Sequence, residues 1–104
     1  MNLIYRDYYK SEYKDEIKKI YVNSFPKEER FPFWILKHCA KKEKSFLNEI
    51  IENNKFIGMQ YIVNCKDTFY LMYFAIDLNF RNKGYGSKSL EDLKEKYKTI
   101  FLSI

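Results

Sequence analysis

The chain has 104 residues, of which 46% are hydrophobic and 19% aromatic, which suits one folded domain with a small core. Its net charge of +5 is spread thinly and only three of its nineteen basic residues are Arg, which argues against a nucleic-acid-binding face and leaves mild attraction for an anionic ligand. No apolar run approaches the roughly 20 residues of a membrane span, and the first residues lack the basic-then-apolar order of a signal peptide.

The N-terminal part of the chain predicts a strand followed by two helices. Residues 3–6 form the strand, and Ser11 is the expected cap of the first helix, followed by acidic residues that favour a helix N-terminus. Pro26 ends that helix, and Pro32 is expected to open the second one at its first position. The apolar residues of the first helix recur at helical spacing and form one stripe: Tyr13, Ile17, Ile20, Tyr21 and Phe25.

A dense apolar and aromatic patch marks the start of the second helix. Its members either pack in the core or line a substrate cleft, and the sequence leaves both interpretations open. The only histidine, His38, follows the patch and suits either the surface of the helix or a catalytic role. The patch consists of Phe31, Phe33, Trp34, Ile35 and Leu36.

Three strands are predicted next, over residues 45–52, 56–65 and 68–76. Asn53-Asn54 and Lys66-Asp67 supply the two tight turns between them, since Asn tolerates positive φ. Short turns between apolar runs are typical of an antiparallel meander. Within the second of these strands, Gly58 indicates either a bulge or a close approach of another backbone segment.

The next six residues, Arg81-Asn82-Lys83-Gly84-Tyr85-Gly86, form a turn between the third of these strands and a helix at 87–98. The two glycines let the backbone approach a ligand closely, and the amides from Asn82 to Ser87 are placed to point at one pyrophosphate. The turn lacks the Walker A pattern, and the dinucleotide fingerprint G-x-G-x-x-G fails at Ser89. A phosphate-holding turn of another type is therefore predicted.

The helix at 87–98 is strongly patterned, with Leu90, Leu93 and Tyr97 on one face and Asp92 and Lys96 at i,i+4 spacing. A last strand is predicted over 99–104. The complete order is strand, two helices, three antiparallel strands, helix, strand, which defines an α+β fold with a mostly antiparallel sheet.

The motif Arg81-Asn82-Lys83-Gly84-Tyr85-Gly86 resembles the acyl-CoA-binding motif of the GNAT N-acetyltransferases, which is Arg or Gln, two residues, Gly, one residue, then Gly or Ala. The preceding Phe74-Ala75-Ile76-Asp77 is similar to the end of a strand in that family, and the element order is also the family's. The resemblance covers essentially the whole chain and implies one acyl-CoA-binding domain over residues 1–104.

The resemblance also implies the site and its chemistry. The pantetheine arm of acetyl-CoA would pair with the backbone of Phe74, Ala75 and Ile76, and a strand amide would polarise the thioester carbonyl. A primary amine would then attack the thioester directly. The residues implied to hold the pyrophosphate are Arg81, Asn82, Lys83, Gly84, Tyr85, Gly86 and Ser87.

Two features depart from the family pattern. Members usually continue past the fifth strand with another helix and two more strands, so the chain is expected to be incomplete at its C-terminal end. That further helix commonly carries a tyrosine that acts as the general acid, and no general acid is therefore assigned in this chain. Some relatives carry a glutamate base on the strand before the turn, but no carboxylate lies there in this chain. The connector before the second helix borders the acceptor site in relatives, so the resemblance implies Glu28 and Glu29 as possible bases, with solvated loop charges as the alternative. The exposed last strand predicts a homodimer, or a second polypeptide that supplies the missing part.

The expected function is transfer of an acetyl group from acetyl-CoA to a primary amine that the sequence does not identify. The alternative is a non-catalytic acyl-CoA-binding module or an inactive fragment of an acetyltransferase. Cys39 and Cys65 lack metal-ligand spacing, so free thiols, a cytoplasmic location and no metal are expected. The abundance of Lys, Ile, Asn and Tyr, which have A/T-rich codons, suggests a bacterial source of low G+C content.

Overall fold

A computed structural model of the chain describes residues 1–42, 44–97 and 100–102. Short 3₁₀ turns over Tyr8–Lys10, Lys27–Glu29 and Leu78–Phe80 link the longer elements. No helix in these ranges is long and apolar enough to cross a membrane. The longer elements, in chain order, are β1 (Ile4–Asp7), α1 (Lys14–Ser24), α2 (Phe33–Lys41), β2 (Ser45–Glu52), β3 (Lys55–Cys65), β4 (Thr68–Ile76), α3 (Tyr85–Lys96) and β5 (Ile100–Leu102).

The strands form one five-stranded sheet in the order β1-β2-β3-β4-β5. The pairs β1–β2, β2–β3 and β3–β4 are antiparallel, whereas β5 runs parallel to β4. Asn53, Asn54 and Lys66 take positive φ values of 51°, 63° and 59°, which confirms the two predicted tight turns. The α+β class and the element order are confirmed, and association of two copies through β5 stays a prediction.

Helices cover both faces of this sheet. Ile17 and Tyr21 of α1 pack with Phe33 and Leu36 of α2 in the larger core cluster, which confirms the apolar stripe of the first helix. On the other face, Leu93 of α3 packs on buried strand residues. Leu90 and Tyr97 join it there, so the predicted apolar face of the last helix is also confirmed.

The beginnings of the helices differ from the sequence prediction. Ser11 does not cap α1, which begins at Lys14, because the Ser11 hydroxyl accepts the N–H of Tyr13 and donates to the buried carboxylate of Glu49. Pro32 precedes α2 as its cap residue instead of opening it, so that prediction was one residue early.

The last helix also begins earlier than predicted. It begins at Tyr85, two residues before the predicted start, because the left-handed conformation of Gly84 ends the turn there. Within this helix Asp92 forms an ion pair with Lys88 at 2.9 Å. The predicted residues 98, 99, 103 and 104 lie outside the described part of the chain.

Candidate functional site

The candidate site begins where β4 parts from β5. Tyr73 pairs with Tyr61 of β3, but the next pair joins Ile62 to Leu71, so Met72 is an extra residue that forms a bulge in β4. On the other side, β5 pairs with residues 69–71. Among the described residues no strand pairs with β4 beyond Leu71 on that side, so its C-terminal half has an open edge that starts at the bulge.

The hydrogen-bond pattern identifies which residues present their backbone to this open edge. The N–H of Asp77 donates to the carbonyl oxygen of Ile57 at 2.7 Å and extends the β3–β4 ladder by one residue. In an antiparallel pair, residues whose backbone groups face the partner strand alternate with residues whose groups face away. Counting back from Asp77, Ala75 faces β3, whereas Phe74 and Ile76 direct their backbone groups to the open edge.

Two further contacts fix the end of β4. The carbonyl oxygen of Ile76 accepts a hydrogen bond from Nε of Arg81 at 3.0 Å, which ties the following turn to the strand and agrees with the outward direction of Ile76. On the β3 side, a Cβ on Gly58 would lie 2.2 Å from the carbonyl oxygen of Ala75. Gly58 therefore marks the close backbone approach that the sequence left open, and Ile57 beside it is the extra residue of a bulge opposite β2.

The turn after β4 delivers the N-terminus of α3 to the surface. Asn82 and Gly84 take left-handed φ values of 62° and 88°, and both are exposed. The first amides of a helix have no partner within it, and no side chain caps this end. The N–H groups of Tyr85, Gly86 and Ser87 are therefore the orphan donors at an exposed, positively polarised helix end.

The turn and the open edge lie side by side. A Cβ on Gly86 would lie 4.0 Å from Cε2 of Phe74, so the first turn of α3 packs over the open half of β4. A Cβ on Gly84 would meet only Cε of Met1, also at 4.0 Å, so the other side of the turn is open space. The structure thus brings together two segments, 74–76 and 81–87, that sequence analysis assigned to one ligand.

The charges around this helix end favour an anion. Arg81 and Lys83 are exposed in the turn, and the first turn of α3 carries no acidic residue. The hydroxyl of Tyr85 donates to Oε1 of Glu52, at the end of β2, at 2.6 Å, and this hydrogen bond raises the pKa of Tyr85. Glu52 therefore holds the helix N-terminus against the sheet through a tyrosine that sequence analysis treated only as part of the motif.

A cleft of about 370 Å³ separates this turn from the C-terminal half of α1. Arg81 and Leu78 line one side, and Asn23 and Ser24 of α1 line the other. Ile20 of α1 and Phe56 of β3 also line it, so the cleft opens on the α1 side of the sheet.

On that face, two buried tyrosines hold the connector between α1 and α2, residues 25–32. The Tyr21 hydroxyl donates to the carbonyl oxygen of Phe31 at 2.6 Å, and the N–H of Phe31 donates to the Tyr73 hydroxyl at 3.2 Å. The two rings meet edge to face with centroids 5.0 Å apart, and burial raises the pKa of Tyr21. Sequence analysis missed this arrangement, although a tyrosine hydroxyl within an apolar stripe was a sign that a partner was needed.

The remaining candidate residues are distributed around this connector. Glu28 and Glu29 are exposed in its 3₁₀ turn, and His38 is exposed on α2. The residues of the aromatic patch differ in burial. Phe33 is buried in the core, whereas Phe31 and Trp34 are 49% and 64% exposed. Among the described residues, no group of three or more His, Cys, Asp or Glu side chains is placed to hold a metal ion.

Comparison with known proteins shows the family to which this fold belongs. The family model of the acetyltransferase (GNAT) family matches residues 5–101. A protein from Bacteroides thetaiotaomicron assigned to the GNAT family is 25% identical, with a TM-score of 0.82, and the match covers 98% of this chain and 59% of that one. A GNAT family acetyltransferase from Staphylococcus aureus is 26% identical, with a TM-score of 0.70 and coverage of 100% and 87%.

The fold is shared more widely than the sequence. An aminoglycoside 6'-N-acetyltransferase solved in complex with coenzyme A has a TM-score of 0.72 at 13% identity, over 98% of this chain and 61% of that one. No curated protein matches the chain. With its family model matched over nearly the whole sequence, the chain belongs to the GNAT family of acetyltransferases. It spans 59% of the length of the Bacteroides protein.

Proposed function

We propose that this chain binds acetyl-CoA and transfers its acetyl group to a primary amine. The observation that carries the proposal is the packing of the exposed N-terminus of α3 over the open half of β4, with Gly86 against Phe74. One ligand with an anionic end and an extended, amide-containing arm suits both features. Acetyl-CoA has this form, and membership of the GNAT family supports the choice.

The pyrophosphate binds at the turn. The amides of residues 82–87 donate to its oxygens, and the side chains of Arg81 and Lys83 add positive charge. The left-handed conformation of Gly84 turns the chain so that the amides that follow it open the helix. Its missing side chain leaves the space beside the turn free for the phosphates.

The pantetheine arm pairs with the open edge of β4. Because Ala75 faces β3, the pairing is proposed for the outward-facing backbone of Phe74 and Ile76. The arm then runs from the turn back towards the bulge at Met72. An outward strand amide near the bulge donates to the thioester carbonyl and stabilises the negative charge that develops there in the transition state.

The chemical step is direct transfer. The amine nitrogen attacks the thioester carbon, a C–N bond forms, the C–S bond breaks, and the electron pair of that bond leaves with sulfur. The amine must be neutral to attack and loses a second proton as the amide forms, while the thiolate gains a proton to become free CoA. Glu29, exposed on the connector, is the proposed base, and no residue is assigned as the acid.

Calorimetric titration with acetyl-CoA tests the cofactor site. Gly84→Asn is the informative variant, because Asn tolerates the left-handed conformation but adds a side chain where the phosphates would lie. We expect the natural chain to bind and Gly84→Asn to lose at least about tenfold in affinity. Gly86→Ala is the control that should still bind, since the family motif accepts Ala there. Equal affinity for all three chains would contradict the assigned site.

A non-catalytic acyl-CoA-binding module is the second candidate, because no general acid is assigned. Measuring the release of free thiol from acetyl-CoA in the presence of amines distinguishes the transferase from the binding module. Thiol release that depends on the amine supports the transferase, and binding without turnover supports the module.

A further inference from the structure

The proposed reaction also needs a binding place for the acceptor amine. The open edge of β4 indicates where this place lies. The arm of the cofactor enters beside Ile76 and cannot continue past Leu71, where β5 pairs with β4. Tyr73 follows the bulge directly, at the start of the open half of β4, and its side chain lies in the core cluster on the α1/α2 face. An acetyl group at the end of the arm therefore lies close to Tyr73, and an acceptor reaches it from that face.

Phe31 is held beside this position. Its N–H donates to the Tyr73 hydroxyl and its carbonyl oxygen accepts from the Tyr21 hydroxyl, so both of its backbone groups are fixed by buried side chains. One residue earlier, Nη1 of Arg30 donates to the carbonyl oxygen of Phe25 at 2.6 Å. The backbone that carries Phe31 is thus fixed from two directions.

The Phe31 side chain is nevertheless 49% exposed, next to the larger core cluster of the molecule. An exposed apolar side chain alone needs no explanation. This one differs because two buried hydroxyls fix its backbone on the face from which an acceptor would arrive. The result is an exposed apolar ring on a fixed stretch of backbone, on the face from which an acceptor would arrive.

The charges of the connector limit the acceptor further. Lys27, Glu28 and Glu29 are exposed, whereas Arg30 is partly buried and its guanidinium turns back onto Phe25. The charges of Lys27 and Arg30 balance those of Glu28 and Glu29, so the connector has no excess negative charge that would favour a polycation over a monoamine.

We infer that the acceptor is a monoamine with an aromatic or bulky apolar body, and that Phe31 binds this body and determines the specificity. This inference rests on the proposed function. It disfavours two other classes of acceptor, hydroxyl-rich aminosugars and linear polyamines.

The test compares four amines with acetyl-CoA: 2-phenylethylamine, ethylamine, an aminoglycoside and spermidine. Ethylamine carries the same reacting group as 2-phenylethylamine without the ring. We expect kcat/KM for 2-phenylethylamine to exceed that for ethylamine by about tenfold or more. Phe31→Ala should bring this ratio close to one through loss on the aromatic amine alone, whereas loss with both amines would indicate a merely structural role.

Ile4→Ala is the matched control, because Ile4 is also an exposed apolar residue, at 53%, but lies on β1 at the opposite edge of the sheet. It should change neither rate. A ratio that Phe31→Ala leaves unchanged, or faster turnover of the aminoglycoside or spermidine, would overturn the inference.

Failure of the proposed function is detected separately. If calorimetry shows no binding of acetyl-CoA, the cofactor site itself is wrong. If acetyl-CoA binds and no amine is acetylated, titration of the CoA-loaded chain with 2-phenylethylamine decides the inference. Binding that Phe31→Ala abolishes supports it, and absence of binding overturns it.

Discussion

Gly58 is placed where even one methyl group does not fit. An added Cβ would lie 2.2 Å from the carbonyl oxygen of Ala75 and 3.1 Å from Cα of Ile76, and both are backbone atoms of β4. Backbone in a central strand cannot move aside as a side chain does. We expect Gly58→Ala to lower the free energy of unfolding by about 2 kcal/mol, as measured by urea denaturation.

Gly86→Ala is the comparison for this variant. Its added methyl group would meet Cε2 of Phe74 at 4.0 Å, an ordinary contact with a side chain, and its backbone has no positive φ. The expected change in the free energy of unfolding is within about 0.5 kcal/mol. Equal losses for the two variants would mean that the strands separate freely at Gly58.

Single residues also show what the sequence could and could not predict. The functions of Gly84, Asn53 and Asn54 depend on their own backbone angles, so local sequence was sufficient to locate them. The bonds of Tyr21 and Tyr73 to Phe31 depend on which residues meet across the fold. No local pattern contains that information, so the sequence could offer a substrate cleft at Phe31 only as one of two interpretations and did not predict the bonds that hold this residue.

At the scale of elements, α3 is attached to the sheet by two tyrosine–carboxylate hydrogen bonds. Tyr85 donates to Glu52 near the helix N-terminus, and Tyr5 of β1 donates to Asp92 two turns further along, each at 2.6 Å. Only the first lies beside the amides that are proposed to bind the pyrophosphate. Tyr85→Phe should therefore weaken acetyl-CoA binding about three- to tenfold in calorimetry, because the helix N-terminus is no longer held in place.

Tyr5→Phe is the matched control, since it removes the same type of bond from the same helix. It should lower stability with less than about a twofold change in affinity. Glu52→Ala combined with Tyr85→Phe should cost no more affinity than either change alone, as expected for two halves of one contact. Additive losses in this cycle would contradict the anchoring role.

The strands were predicted more accurately than the ends of the helices, for a physical reason. Period-two alternation and turn residues define a strand locally, and β2 has the predicted bounds. The start of α1 depends on the buried Glu49, which takes the Ser11 hydroxyl. The bulge at Met72 depends on the register between β3 and β4. This bulge, where the open edge of β4 begins, could therefore not be predicted from local sequence either.

At the scale of the whole molecule, one buried carboxyl group makes stability depend on pH. The side chain of Glu49 is 0% exposed in the centre of the sheet, its Oε1 accepts from Ser11 at 2.5 Å, and its Oε2 has no hydrogen-bond partner among the described residues. Burial raises the pKa of Glu49, and the Ser11 hydrogen bond and the charge of Arg6 offset this only in part.

The sign of the resulting pH dependence follows from linkage. Between the ordinary pKa of 4.5 and the raised pKa of the folded state, the folded chain keeps a proton that the unfolded chain has lost. The contribution of Glu49 to stability is therefore largest below the ordinary pKa, falls as pH rises through this window, and is constant above it. Glu49→Gln cannot titrate and lacks this dependence.

We therefore expect the unfolding free energy of the natural chain, minus that of Glu49→Gln, to decrease with rising pH above 4.5 and then to level off. Urea denaturation of both chains across this range measures the difference. Glu91→Gln, which removes an exposed carboxylate from α3, controls for the general effect of a lost negative charge. A difference independent of pH would mean that Glu49 keeps its charge in the core, and α1 would then be held over the sheet by an ionised carboxylate rather than a neutral one.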